Sequence, residues 1–91
     1  MSLLETLIKE KRTWILTMEK CPDTVKGLGI LYANNIDAEI FKKEDHPDLV
    51  QDVLKEFNFK YFPTIFINGE FIGGDKELEE YLKIHNKVKH I

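Results

Sequence analysis

The chain of 91 residues holds one cysteine, three prolines and no excess of basic charge, and each scarcity excludes something. A lone cysteine cannot close an internal disulfide, so no disulfide framework supports the fold, and a reducing compartment, the cytoplasm, is the expected home. Lys and Arg number 13 against 16 Asp and Glu, a formal net charge of −3, which argues against nucleic acid as the main partner because binding phosphates needs a basic surface. No apolar run approaches the length of a membrane span, so no membrane association is expected. The N-terminal stretch carries Glu5, Lys9, Glu10, Lys11 and Arg12 and does not read as a secretory signal. His46, His85 and His90 are scattered, without the spacing of a zinc site, so no metal is expected. The acidic pairs Glu44 with Asp45 and Glu79 with Glu80 read as solvated faces. Repeats and low-complexity linkers are absent as well. What remains, 43% apolar residues with 11% aromatics, suits one folded domain spanning residues 1–91, expected to be a monomer.

Hydrophobic periodicity gives the elements. Leu3, Leu4, Leu7 and Ile8 recur at helical spacing, and Ser2 is placed to cap a helix that runs to about Lys11. Thr13 to Met18 is apolar without alternation, as in a strand buried on both faces. Val25, Leu28, Tyr32 and Leu31 then supply the expected buried stripe of a second helix, ending near Asn34 and Asn35. Gly27 and Gly29 weaken that helix by up to about 1 kcal/mol each, and close packing is the expected reason.

Ile36 to Phe41 alternates, with Ile36, Ala38 and Ile40 on one face, and completes a parallel βαβ unit. Pro47 opens a helix with a stripe of Leu49, Val50, Val53, Leu54 and Phe57. Two apolar runs separated by Asn68 and Gly69 read as a β-hairpin with a type I′ turn. Asp75 caps or opens a last helix with Leu78, Tyr81, Leu82 and His85 on one face, and Lys87 to Ile91 is expected to fray. Trp14, Phe66 and Phe71 are expected in the core.

The chemistry centres on Glu19, Lys20, Cys21, Pro22, Asp23 and Thr24. Here a strand gives way to a helix, and a proline directly after the cysteine suits the first helical position, which makes Cys21 the cap residue. The first-turn amides of Asp23 and Thr24 are then expected to point at the sulfur, and the helix dipole favours thiolate over thiol. A small buried apolar role for Cys21 stands beside that reading.

Three motifs in order resemble the glutaredoxins of the thioredoxin superfamily. Cys21-Pro22-Asp23-Thr24 sits where that family has Cys-Pro-Tyr-Cys, Phe62-Pro63-Thr64 where it has Thr-Val-Pro with a cis proline, and Ile65 to Gly74 matches its hairpin and diglycine. The likeness runs from about Thr13 to Leu82. It implies an α/β thioredoxin-like fold, a four-stranded mixed sheet (βαβ unit plus β-hairpin) flanked by helices. It also implies a thiol-disulfide oxidoreductase with glutathione as co-substrate and no tightly bound cofactor. Catalysis would fall to Cys21, with the hydroxyl of Thr24, which stands in place of the second cysteine, either donating to the thiolate or filling the space. Glutathione would meet Lys20, Pro22, Asp23, Phe62, Pro63, Gly74 and Asp75, with the backbone of Phe62 pairing with the peptide and the amides of Gly74 and Asp75 receiving its γ-glutamyl carboxylate.

The chain also departs from that pattern. Thr24 replaces the second cysteine, which leaves a one-cysteine route acting on glutathionylated proteins or other small disulfides. Met18 stands where the family has a basic residue, Asp23 places a carboxylate where it disfavours the thiolate, and Lys76 replaces an aspartate that holds the γ-glutamyl ammonium, a role Asp75 is near enough to take over. Two alternatives accompany the main reading: a non-catalytic thioredoxin-fold binding module, and a carrier of a glutathione-assisted iron-sulfur cluster.

Overall fold

The computed structural model describes the backbone of residues 1–89 and the side chains of residues 1–85. Ser2 starts the first helix, α1 (Leu3–Lys9), through a capping box: its Oγ accepts from the Glu5 N–H at 3.1 Å and the Glu5 carboxylate accepts from the Ser2 N–H at 3.3 Å. These contacts satisfy two of the amides a helix start leaves without partners. Leu4 and Leu7 are its buried residues. Strand β1 (Trp14–Thr17) follows, buried at every position as its unbroken apolar run predicts.

Helix α2 (Pro22–Ala33) ends at Asn34, with Asn35 in the left-handed region at φ 56°. The edge strand β2 (Glu39–Lys42) pairs parallel with β1 in a register that sets Trp14 opposite Glu39. Helix α3 (Pro47–Phe57) buries Leu49 and Val53 and leaves Leu54 38% exposed; it stops at a left-handed Asn58. Strands β3 (Thr64–Ile67) and β4 (Glu70–Gly73) form the hairpin, and Asn68 and Gly69 both take positive φ, 52° and 79°, as a type I′ turn requires. Helix α4 (Asp75–Lys89) is continuous to its last described residue, where fraying from Lys87 was expected; residues 90 and 91 of that tail lie outside the described residues. No described helix is long and apolar enough to cross a membrane.

The sheet order is β2-β1-β3-β4, with β3 antiparallel to both neighbours. The period of two along its strands divides the core. Trp14, Leu16 and Phe66 face α1 and α3 with Leu4, Leu7, Leu49 and Val53, while Ile15, Ile65 and Ile67 face α2 and α4 with Leu31 and Leu78. Trp14 stacks on Phe66 with ring centroids 4.4 Å apart. Among the described residues its Nε1–H has no partner, a cost of about 1–3 kcal/mol. Burying an indole gains roughly 5 kcal/mol at about 25 cal/mol per Å² over some 200 Å², so the ring stays inside.

Two expected patterns are corrected. Helix α2 does not bury Val25 and Tyr32, which are 69% and 86% exposed; it seats Thr24, Gly27 and Leu31 instead. The stripe is rotated because the small residue, Gly27, is the one that admits close approach: a Cβ there would stand 2.9 Å from Pro63 Cγ. Gly29 has no such reason, since nothing lies within 4 Å of its Cβ position. The second strand begins at Glu39 rather than Ile36, and its Ile40 is 57% exposed, because β2 is an edge whose outer side no element covers among the described residues.

Candidate functional site

Cys21 is the N-cap of α2, with extended backbone at φ −107° and ψ 116°, and it ends the loop that leaves the central strand. Lys20, just before it, takes a left-handed φ of 58°, which turns the chain into the helix. The cysteine is free and only 9% exposed. Its Sγ lies 4.0 Å from the carbonyl oxygen of Phe62, at the limit of a thiol donor's reach. The Phe62–Pro63 peptide bond is cis, as the resemblance implies, and Pro63 is buried beneath α2 against Gly27. The sheet thus carries the thiol on the loop after β1 and its backbone partner on the loop before β3, the neighbouring strand.

A cleft of about 660 Å³ opens beside the sulfur. It brings together Cys21, Asp23, Phe62, Gly74 and Asp75 of the predicted residues. Lys20, Pro22 and Thr24 are not on its wall, and Pro63 supports the wall from behind. Sequence reasoning missed Phe59, Lys60, Tyr61 and Glu77, which also line it. Lys60 and its neighbours carried a signal, since residues just upstream of a proline that shapes the site share its loop. Glu77, three residues along a helix, carried none without the turn itself. Lys43 was missed too: its Nζ sits 5.5 Å from the centroid of the Phe62 ring.

Three expected contacts are corrected. The Thr24 N–H donates to the Cys21 carbonyl at 3.1 Å, not to the sulfur, and Cys21 makes no side-chain cap bond. The Thr24 hydroxyl oxygen accepts from the Met18 N–H at 3.3 Å, so this buried residue ties the cysteine loop to the helix instead of meeting the thiol. At the far end of the cleft the Gly74 N–H is already occupied, donating to Glu77 Oε1 at 2.7 Å. The amides of Asp75, Lys76 and Glu77, the first three of α4, precede its first turn bond, from the Leu78 N–H to the Gly74 carbonyl at 3.0 Å, and are the ones left for an anion.

Asp75 lies on the cleft wall, but its side chain is only 11% exposed and stands 3.7 Å from Lys26 Nζ, which also meets Glu79 Oε1 at 2.8 Å. The bond to Glu79 holds Lys26 above the ordinary lysine range and Glu79 below the ordinary carboxylate range. This group joins α2 to α4 under the site.

A parallel βαβ unit joined to a hairpin, with a cysteine at the first strand-to-helix junction facing a cis proline, defines a thioredoxin-like protein. The family model for glutaredoxin matches residues 13–72, and the chain belongs to the glutaredoxin family. Among solved structures it is similar to the dithiolic glutaredoxin 2-C-Grx1 of Trypanosoma brucei brucei, at 26% identity and TM-score 0.81 over 93% of this chain and 91% of that one. A buckwheat glutaredoxin in complex with glutathione shares the fold at TM-score 0.78 and 14% identity, over 94% of this chain and 84% of that one. So does glutaredoxin C1 from Populus tremula x tremuloides in its holo form, at TM-score 0.76 and 14% identity over 94% and 91%. No curated protein matches the chain closely enough to count as a relative.

Proposed function

We propose that this glutaredoxin is a thiol-disulfide oxidoreductase that works with its one cysteine and glutathione. The observation that carries the reading is Cys21 at a helix start, 4.0 Å from the Phe62 carbonyl and beside an open cleft. The Cys21 thiolate attacks the glutathione sulfur of a mixed disulfide, the former partner leaves as a thiolate and takes a proton from water, and Cys21 holds the glutathione as a new disulfide. A second glutathione thiolate attacks that sulfur, oxidised glutathione departs, and Cys21 is a thiolate again. Two electrons pass from glutathione to the substrate, and no second protein thiol is needed.

The Phe62 backbone pairs with the cysteinyl backbone of glutathione. The Lys60 ammonium meets its glycine carboxylate, and the Asp75 and Lys76 amides receive the γ-glutamyl carboxylate at the helix start. Pro22, Pro63 and Thr24 shape and hold this wall rather than touch the ligand, and Lys20 serves the loop's turn. A reducing compartment such as the cytoplasm supplies the reduced glutathione that closes the cycle, with glutathionylated proteins as substrates.

The test is incubation with oxidised glutathione followed by intact mass. One glutathione should add to Cys21 and be removed by reduced glutathione, with turnover of a glutathionylated peptide that Cys21→Ser abolishes. Adduct formation no faster than on the urea-unfolded chain would refute the reading in favour of a non-catalytic module.

A further inference from the structure

The next step rests on the glutathione-type cleft just proposed and concerns its α4 end. Three charged side chains follow one another there. The Asp75 carboxylate has Lys26 Nζ at 3.7 Å, and the Glu77 carboxylate accepts from the Gly74 N–H at 2.7 Å. Lys76, between them, is exposed, lines the same cleft and makes no ion pair among the described residues. Asp75 therefore has a cation as partner, Glu77 is tied to a neutral amide and keeps its charge, and the one cation at this end without an ion pair among the described residues is the Lys76 ammonium. It stands beside helix amides that already favour an anion, while Lys60 supplies a second cation on the cleft wall and Asp23 the one acid from α2.

We propose that Lys76 is a specificity-determining residue, and that it selects a low-molecular-weight thiol carrying a carboxylate but no ammonium at the end that faces α4. Glutathione presents both groups there. A carboxylate gains from Lys76 and from the amides together, whereas an ammonium beside it meets a like charge. At the effective dielectric of a half-open cleft the difference corresponds to a roughly three- to ten-fold preference.

The experiment measures, by intact mass at exchange equilibrium, how much Cys21 mixed disulfide forms with glutathione and with glutaryl-cysteinyl-glycine, which is glutathione without its α-amino group. The wild-type chain is compared with Lys76→Met and Lys76→Asp, both at an exposed position, and each variant's folding is confirmed by its melting temperature. Referring the ratio to Lys76→Met cancels the intrinsic difference between the two thiols. The wild-type chain should favour the amino-free thiol roughly three- to ten-fold over that reference, and Lys76→Asp should favour glutathione by a similar factor. High salt should shrink both shifts, which a purely structural role would not do. An unchanged ratio across the three chains, or a wild-type shift toward glutathione, overturns the proposal while the proposed function stands. If, in the approach to that equilibrium followed by the same mass assay, neither thiol forms the adduct faster than on the unfolded chain, the proposal and that function fall together.

Discussion

Alanine at Gly29 should stabilise the chain and alanine at Gly27 should not, although the two lie on one helix, two residues apart. Both substitutions gain the same helix propensity, about 0.8–1.0 kcal/mol over glycine. At Gly29 nothing opposes it, since no atom lies within 4 Å of the added Cβ, so Gly29→Ala should stabilise by about 1 kcal/mol and raise Tm by roughly 4–8 °C. At Gly27 the Cβ would stand 2.9 Å from Pro63 Cγ and 3.6 Å from the Cδ1 atoms of Ile15 and Ile65. The proline ring is stiff and the isoleucines are fully buried, so the contact is relieved only by moving α2 or the Pro63 loop. Overpacking of this kind costs about 1–3 kcal/mol, which places Gly27→Ala near or below wild type and roughly 1–3 kcal/mol below Gly29→Ala. Urea unfolding followed by fluorescence of the single, fully buried Trp14 reads both variants. Because Pro63 carries the Phe62 carbonyl beside the sulfur, Gly27→Ala should also slow glutathione adduct formation, and Gly29→Ala should not. Equal stabilisation by both alanines would refute the packing argument.

Thr24→Val removes the acceptor for the half-buried Met18 amide and should cost about 1–2 kcal/mol in urea unfolding, while Thr24→Ser, which keeps the oxygen, should cost less; a larger loss in Thr24→Ser than in Thr24→Val would show that the methyl, not the hydroxyl, matters. Asp23→Asn removes a carboxylate from the first turn beside Cys21 and should speed alkylation of Cys21 at neutral pH by roughly two- to five-fold; an unchanged rate would mean the charge does not reach the sulfur. The hydrogen bond from Arg12 Nε at 2.6 Å holds the Glu39 carboxyl below its ordinary range. The folded state therefore binds this proton less readily than the unfolded one, and the pair's stabilisation is full above about pH 4.3 and is lost as pH falls through the lowered value. Arg12→Met should accordingly lower the urea midpoint at pH 7 and lose less than wild type between pH 7 and pH 3, by a modest margin because both side chains are partly exposed. Parallel pH profiles for the two chains would count against it.

The contrast between legible and hidden features follows from what each depends on. Asn68-Gly69, the Ser2 cap and the proline after Cys21 are local backbone requirements, and each stands in the structure where the chain's own neighbours demand it. Strand β1 was legible because a residue run apolar on both faces has only the centre of a sheet to occupy. Helix α2 was not, since Val25, Leu28 and Tyr32 make an equally regular stripe, and the choice against them was made by a glycine meeting a proline thirty-six positions away in sequence. The same division runs through the site. Its central geometry, a thiol at a helix start and a carbonyl held by a proline, is set by backbone and could be read in advance. Its charge pattern is set by which side chain reaches which partner: Glu77 turns back to Gly74, Asp75 meets Lys26, and Lys60 arrives from the loop before β3. Where the thiol sits is thus written locally, while the charges that surround it depend on contacts that only the assembled fold makes.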